Sequence, residues 1–136
     1  MSHHPVGLSK IGQVSMRAKD LPRAVAFYQQ TLGMTHLFTV GNMAFFDCDG
    51  VRLMLSVPER EEFDHAGSVI YYQVPSVRAM AETLADRGVT FESEPHLVAR
   101  MAHHDLWMAF FRDSEDNLVA LMSEETRTGE VAPPLV

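Results

Sequence analysis

Thirteen residues, Ser93 to Asp105 (SEPHLVARMAHHD), hold three of the seven histidines in this chain. Imidazole titrates near neutral pH, so His96 and His104 are the candidate general acid/base groups, with Asp105 or Glu94 placed to orient a ring. Histidines on a solvated loop are the competing reading. A metal site built from His65, His96 and His104 has little support: only His103 and His104 adjoin, and neighbours on a strand point to opposite faces. The single cysteine, Cys48, lies between Asp47 and Asp49, which disfavour a thiolate nucleophile, and it cannot form an internal disulfide, in keeping with a reducing compartment. The DCDG run at 47–50 lacks the later acidic ligands of a calcium loop and reads as turn chemistry.

The elements that must position these groups repeat. In the stretch from Ile11 to Gly33, Val14 and Met16 alternate with Gln13, Ser15 and Arg17 as in a strand with one apolar face. Asp20 then caps a helix, Pro22 fits its first turn and Gly33 stops it. Leu21, Ala24, Val25, Tyr28 and Leu32 form the buried stripe of that helix. The same order returns from Ser68: a strand to Pro75, the cap Ser76, the stripe Val77, Met80, Ala81 and Leu84, and the stop Gly88. Each stop precedes three strand-like runs, at 34–40, 43–47 and 52–57 and again at 89–92, 106–112 and 118–123. The spacing therefore predicts an α+β fold of tandem βαβββ repeats forming a curled, barrel-like mixed sheet. A single domain is expected, with repeat units at about 8–57 and 68–125, a solvated acidic linker at 58–67 and a tail at 126–136. His3 and His4 fall in a short arm. Ser93 to Asp105 reads as a loop inserted in the second copy alone, and such loops often shape a pocket.

Strand alternation lines the resulting cup with Gln13, Ser15 and Arg17, with Met54 and Ser56, with Val69, Tyr71 and Gln73, and with Trp107, Ala109, Phe111, Ala120 and Met122. A mostly apolar hollow with a few polar anchors suits a small organic ligand. Gln13, Arg17, Met54, Tyr71, Gln73, Trp107 and Phe111 are its candidate contacts, Trp107 supplying a stacking surface. A small barrel plugged by its own side chains has similar composition.

At 136 residues the chain can bury a real core. Its net charge of -7 argues against nucleic acid and anionic membranes as partners. No apolar run reaches the length needed to span a bilayer, and the first residues lack the apolar core of a signal peptide, so a cytoplasmic location is expected.

With its two βαβββ units and the segments KDLPRAVAFYQQTLGM, FFDCDGVRLMLS and FFRDSEDNLVALMSEE, the chain resembles the vicinal oxygen chelate superfamily from about Leu8 to Glu125. That group includes glyoxalase I, methylmalonyl-CoA epimerase, extradiol dioxygenases and the bleomycin-binding resistance proteins. The resemblance implies a homodimer and, in metal-using members, two His or Gln and two Glu ligands on four strands. The matching positions here are Gln13, Met54, Val69 (Ser68 if the register slips by one) and Ala120. Three are apolar, and Leu53, Leu55, Val119 and Leu121 flank them. The expectation is therefore a protein with no metal and no cofactor that binds and transforms a small organic molecule. The alternative is a drug-sequestering protein of the bleomycin-resistance kind.

Overall fold

The computed structural model describes residues 7–58 and 68–126. His3 and His4, the linker residues 59–67 with His65, and the tail from 127 lie outside the described residues. The first unit comprises β1 (Gln13–Arg17), α1 (Leu21–Ala26) with a π-helical continuation (Phe27–Thr31), β2 (Thr35–Val40), β3 (Met43–Cys48) and β4 (Val51–Ser56). The second comprises β5 (Ile70–Gln73), α2 (Val77–Asp86), β6 (His96–Arg100), β7 (His104–Arg112) and β8 (Leu118–Thr126). Each unit makes one four-stranded sheet, in the orders β1-β4-β3-β2 and β5-β8-β7-β6. In both, the first and last strands of the unit pair in parallel and the other pairs are antiparallel. The expected βαβββ repeat is thus present, as two open mixed sheets.

Local chemistry sets the helix limits. The Asp20 carboxylate accepts from the Arg23 N–H at 3.1 Å, and the Ser76 hydroxyl accepts from the Ala79 N–H at 3.2 Å. Gly33 and Gly88 take φ values of +75° and +93°, which side chains with a Cβ rarely adopt. Helix α1 packs on β3 and β4, and α2 on β7 and β8. The helix-side faces, with Met16, Phe46 and Leu55 from the first sheet and Phe111, Val119 and Leu121 from the second, join Tyr28, Val77 and Leu84 in one continuous core.

Two strand expectations change. The run at 89–92 is not a strand: within it only Phe91 makes an isolated bridge, to Phe111. His96–Arg100, expected to be loop, is β6 and pairs with β7. The extra residues of the second unit therefore lie between Gly88 and β6. A bulge recurs at equivalent places in both units, where Leu37 interrupts the β2–β3 register and Val98 the β6–β7 register.

A buried carboxylate fastens the units together. Glu115, in the turn between β7 and β8, has no exposed surface. It accepts from the Lys19 and Asp20 backbone N–H groups at 2.7 Å each and from Arg23 Nε at 2.8 Å. Burial by itself would raise its pKa, but the Arg23 guanidinium, the Asp20 and Lys19 N–H groups and the Ser114 hydroxyl outweigh that and bring it from 4.5 to about 2. Nearby, the Tyr28 hydroxyl donates to Asp113 at 2.6 Å, and Asn117 Nδ2 donates to the Arg17 carbonyl at 2.8 Å.

Because the folded carboxyl titrates below its ordinary value, its contribution is complete above about pH 5 and fades as pH falls toward 2. Glu115→Gln is expected to cost about 2 kcal/mol at neutral pH, a figure held down by the half-exposed Arg23. Urea titrations across this range should show the gap from the parent protein narrowing in acid; a gap independent of pH would contradict the assignment.

Candidate functional site

Pairing registers fix which side chains share the sheet faces turned away from the helices. On the first sheet, Gln13 lies opposite Arg52, Ser15 opposite Met54 and Arg17 opposite Ser56, with Met54 in turn opposite Phe45. On the second, Tyr71 and Phe110 flank Ala120, Gln73 and Met108 flank Met122, and His96 pairs with Met108. His104 continues the row of Leu106, Met108 and Phe110, because alternate residues of a strand share a face. Both open faces reach solvent within one chain: Phe38 is 43% exposed and Tyr71 45%.

The open face of the second sheet carries the two candidate acid/base histidines. His104 Nε2 lies 3.1 Å from Glu124 Oε2, and both side chains are partly exposed. A carboxylate beside Nε2 can accept its hydrogen and hold the ring in one orientation. His96 Nδ1 lies 3.3 Å from the Glu94 carbonyl oxygen, an acceptor that assigns the hydrogen of the neutral ring to Nδ1 and the lone pair to Nε2. The His96 ring stacks over Phe110 with centroids 6.3 Å apart, and Tyr71 meets Phe110 edge-on at 5.9 Å. Of the two expected orienting groups, Glu94 meets His96 through its backbone carbonyl, and Asp105 pairs in register with Arg100 and Glu125 on the opposite face. Glu124 takes that place. Continuing the strand alternation past Ser123 would have revealed it.

On the first sheet, Arg52 Nε donates to Gln13 Oε1 at 3.1 Å, and Gln13 Nε2 approaches the Met54 sulfur at 3.7 Å. The Arg52 guanidinium lies 5.4 Å from the Phe45 ring centroid, and Phe45 packs on Phe38 at 4.6 Å. Arg17 lines a cleft of about 280 Å³ with Ser68, Val69, Arg112 and Asn117, where the two units adjoin. Cys48 is half-buried, and burial, then Asp47 and Asp49, push its thiol up, away from nucleophilic use.

Trp107 and Phe111 stand apart from the other candidates. They share the helix side with Ala109, opposite Ser123 and Val119. Arg78 of α2 covers the Trp107 ring at 4.2 Å, and Phe111 is fully buried in the core. The corrected members of that wall are Met108 and Phe110. Both parities of β7 are apolar, so composition could not say which row turns away from the helix. Gln13, Arg17 and Met54 are together on one open face, and Tyr71, Gln73, His96 and His104 on the other.

A family description, the Glyoxalase/Bleomycin resistance protein/Dioxygenase superfamily, matches residues 10–121. The chain belongs to this superfamily. Its structure is similar to a lactoylglutathione lyase from Agrobacterium tumefaciens, with 19% identity and a TM-score of 0.72 over 86% of this chain and 95% of that one. It is also similar to a superfamily member from Sphaerobacter thermophilus, with 22% identity and a TM-score of 0.72 over 86% and 98% of the two chains. UcmS2 is 26% identical, with a TM-score of 0.66 over 85% of this chain and 98% of its own. No curated protein sequence matches the chain.

The residues that the resemblance places at the superfamily's ligand positions do not fit a hard divalent ion. Met54, Val69 and Ala120 offer neither carboxylate nor imidazole, and Gln13 Oε1 accepts from Arg52, whose charge would oppose a cation. Among the described residues no three His, Cys, Asp or Glu side chains gather where they could hold a metal. After incubation with zinc, nickel or manganese and desalting, elemental analysis should find far less than one ion per chain. The substitutions Met54→Glu, Val69→His and Ala120→Glu, made together, should raise the retained amount; one equivalent in the unaltered protein would refute the reading.

Proposed function

We propose that this superfamily member binds a small organic molecule on its open sheet faces and moves a proton on it without a divalent ion. His104 acts as general base and Glu124 holds its ring. The His104–Glu124 contact of 3.1 Å, on the same face as His96, Phe110 and Tyr71, carries this reading. Stacked on Phe110, His96 is the second proton-transfer group. Tyr71 and Gln73 on this sheet, and Gln13, Arg17 and Met54 on the other, supply the contacts that orient the ligand. The exposed aromatic and aliphatic side chains of both faces support a homodimer in which a second copy covers them. No described helix is long and apolar enough to cross a membrane, and the reading places the protein in the cytoplasm.

Proton abstraction is visible without knowing the physiological substrate. Compounds with an acidic C–H that raise the melting temperature would be incubated with the protein in deuterium oxide and followed by NMR. Binding compounds should exchange that hydrogen, His104→Ala should slow exchange about 100-fold or more with affinity within about threefold, and Glu124→Gln should slow it less. Binding with no exchange in any compound would instead establish a sequestering protein. Sedimentation equilibrium should give twice the chain mass, and a monomer at all concentrations would remove the dimer from the reading.

A further inference from the structure

We infer that Arg52 recognises the ligand, and that what it recognises is a planar carboxylate. The inference rests on the reading of the open faces as the ligand surface and names the class of molecule they take.

Two contacts orient the guanidinium: its Nε donates to Gln13 Oε1 at 3.1 Å, and its central carbon lies over the Phe45 ring, 5.4 Å from the centroid. Asp47 stands directly across from Arg52 in the β3–β4 register, where opposite charges on paired strands ordinarily meet, yet the guanidinium turns to the amide instead. Among the described residues its Nη groups have no hydrogen-bond partner, so an edge with donors remains beside the aromatic pair Phe45 and Phe38. A guanidinium engaged at Nε and resting near an aromatic ring has less rotamer freedom to lose when a ligand arrives, which lowers the cost of ordering it on binding. The geometry suits a two-oxygen planar anion in line with the guanidinium plane, its attached ring extending over Phe45 and Phe38. The charge count selects further. With Asp47 opposite already offsetting Arg52, a monoanion leaves about one uncompensated negative charge at the site and a phosphate dianion about two, so the monoanion meets less repulsion.

Calorimetric titration with 2-naphthoate, 2-naphthamide and 2-naphthyl phosphate tests the assignment. In the unaltered protein the carboxylate should bind about tenfold or more tightly than its neutral amide, and also more tightly than the phosphate. Arg52→Gln should erase the preference for carboxylate over amide, and Arg52→Lys should retain part of it, since an ammonium keeps the charge without the fork. Circular dichroism of both variants checks that the exposed position leaves the fold intact. Equal binding of carboxylate and amide, an undiminished preference in Arg52→Gln, tighter binding of the phosphate, or no binding of 2-naphthoate up to about 10 mM would each overturn the inference. His104→Ala should alter these affinities by no more than about threefold. Intact preference for the carboxylate with no deuterium exchange in any compound would sink only proton transfer at His104, whereas exchange of uncharged C–H acids with no preference for carboxylate over amide would sink only recognition at Arg52.

Discussion

A carboxylate sealed away from water holds the architecture in place. Glu115 contributes nothing to the open faces, yet its oxygens draw in the backbone just ahead of α1 and the side chain of Arg23, at distances of 2.7 to 3.1 Å. An ionised group so placed is tolerated only when its lone pairs are satisfied, and here all the donors but the adjacent Ser114 hydroxyl come from the other half of the molecule. The neighbouring Asp113 is bound in the same way, accepting from Tyr28, from the Glu115 and Asn117 backbone and from the Asn117 amide. One turn of the second unit thus dictates where the first helix begins and where β1 ends.

With that junction fixed, each sheet has one occupied face and one available face. The occupied faces hold the helices and meet in the core. The available faces carry different chemistry: an amide, an arginine and aromatic rings on the first sheet, and two imidazoles with a carboxylate on the second. The duplicated backbone therefore does not imply duplicated function. Where Ser15 and Met54 pair on the first sheet, the equivalent positions of the second bring Tyr71 against Ala120.

What the sequence makes legible follows from how local each requirement is. Asp20, Ser76, Gly33 and Gly88 answer needs of the backbone within a few residues, so both helices and their limits can be read directly. Gln13, Met54 and Tyr71 sit on strands whose alternation is clear, and the side they face can be read with them. β7 is different. Leu106, Met108 and Phe110 are as apolar as Trp107, Ala109 and Phe111, so the side that meets α2 is decided by packing with distant residues. β6 conceals itself because the extra residue Val98 breaks its period. Glu124 escapes notice because β8 continues past the apolar run that announces it. Glu115 looks like ordinary turn polarity, its partners being more than ninety positions away.

The paired irregularities at Leu37 and Val98 bear on how copies of the chain can meet. Both interrupt the outermost strand of a sheet, and both leave an apolar side chain 46% exposed at the kink. An incoming strand needs an even row of amide and carbonyl groups to zip along, and a kinked border breaks that row. Stacking of one molecule after another through these two borders into a fibre is thereby resisted.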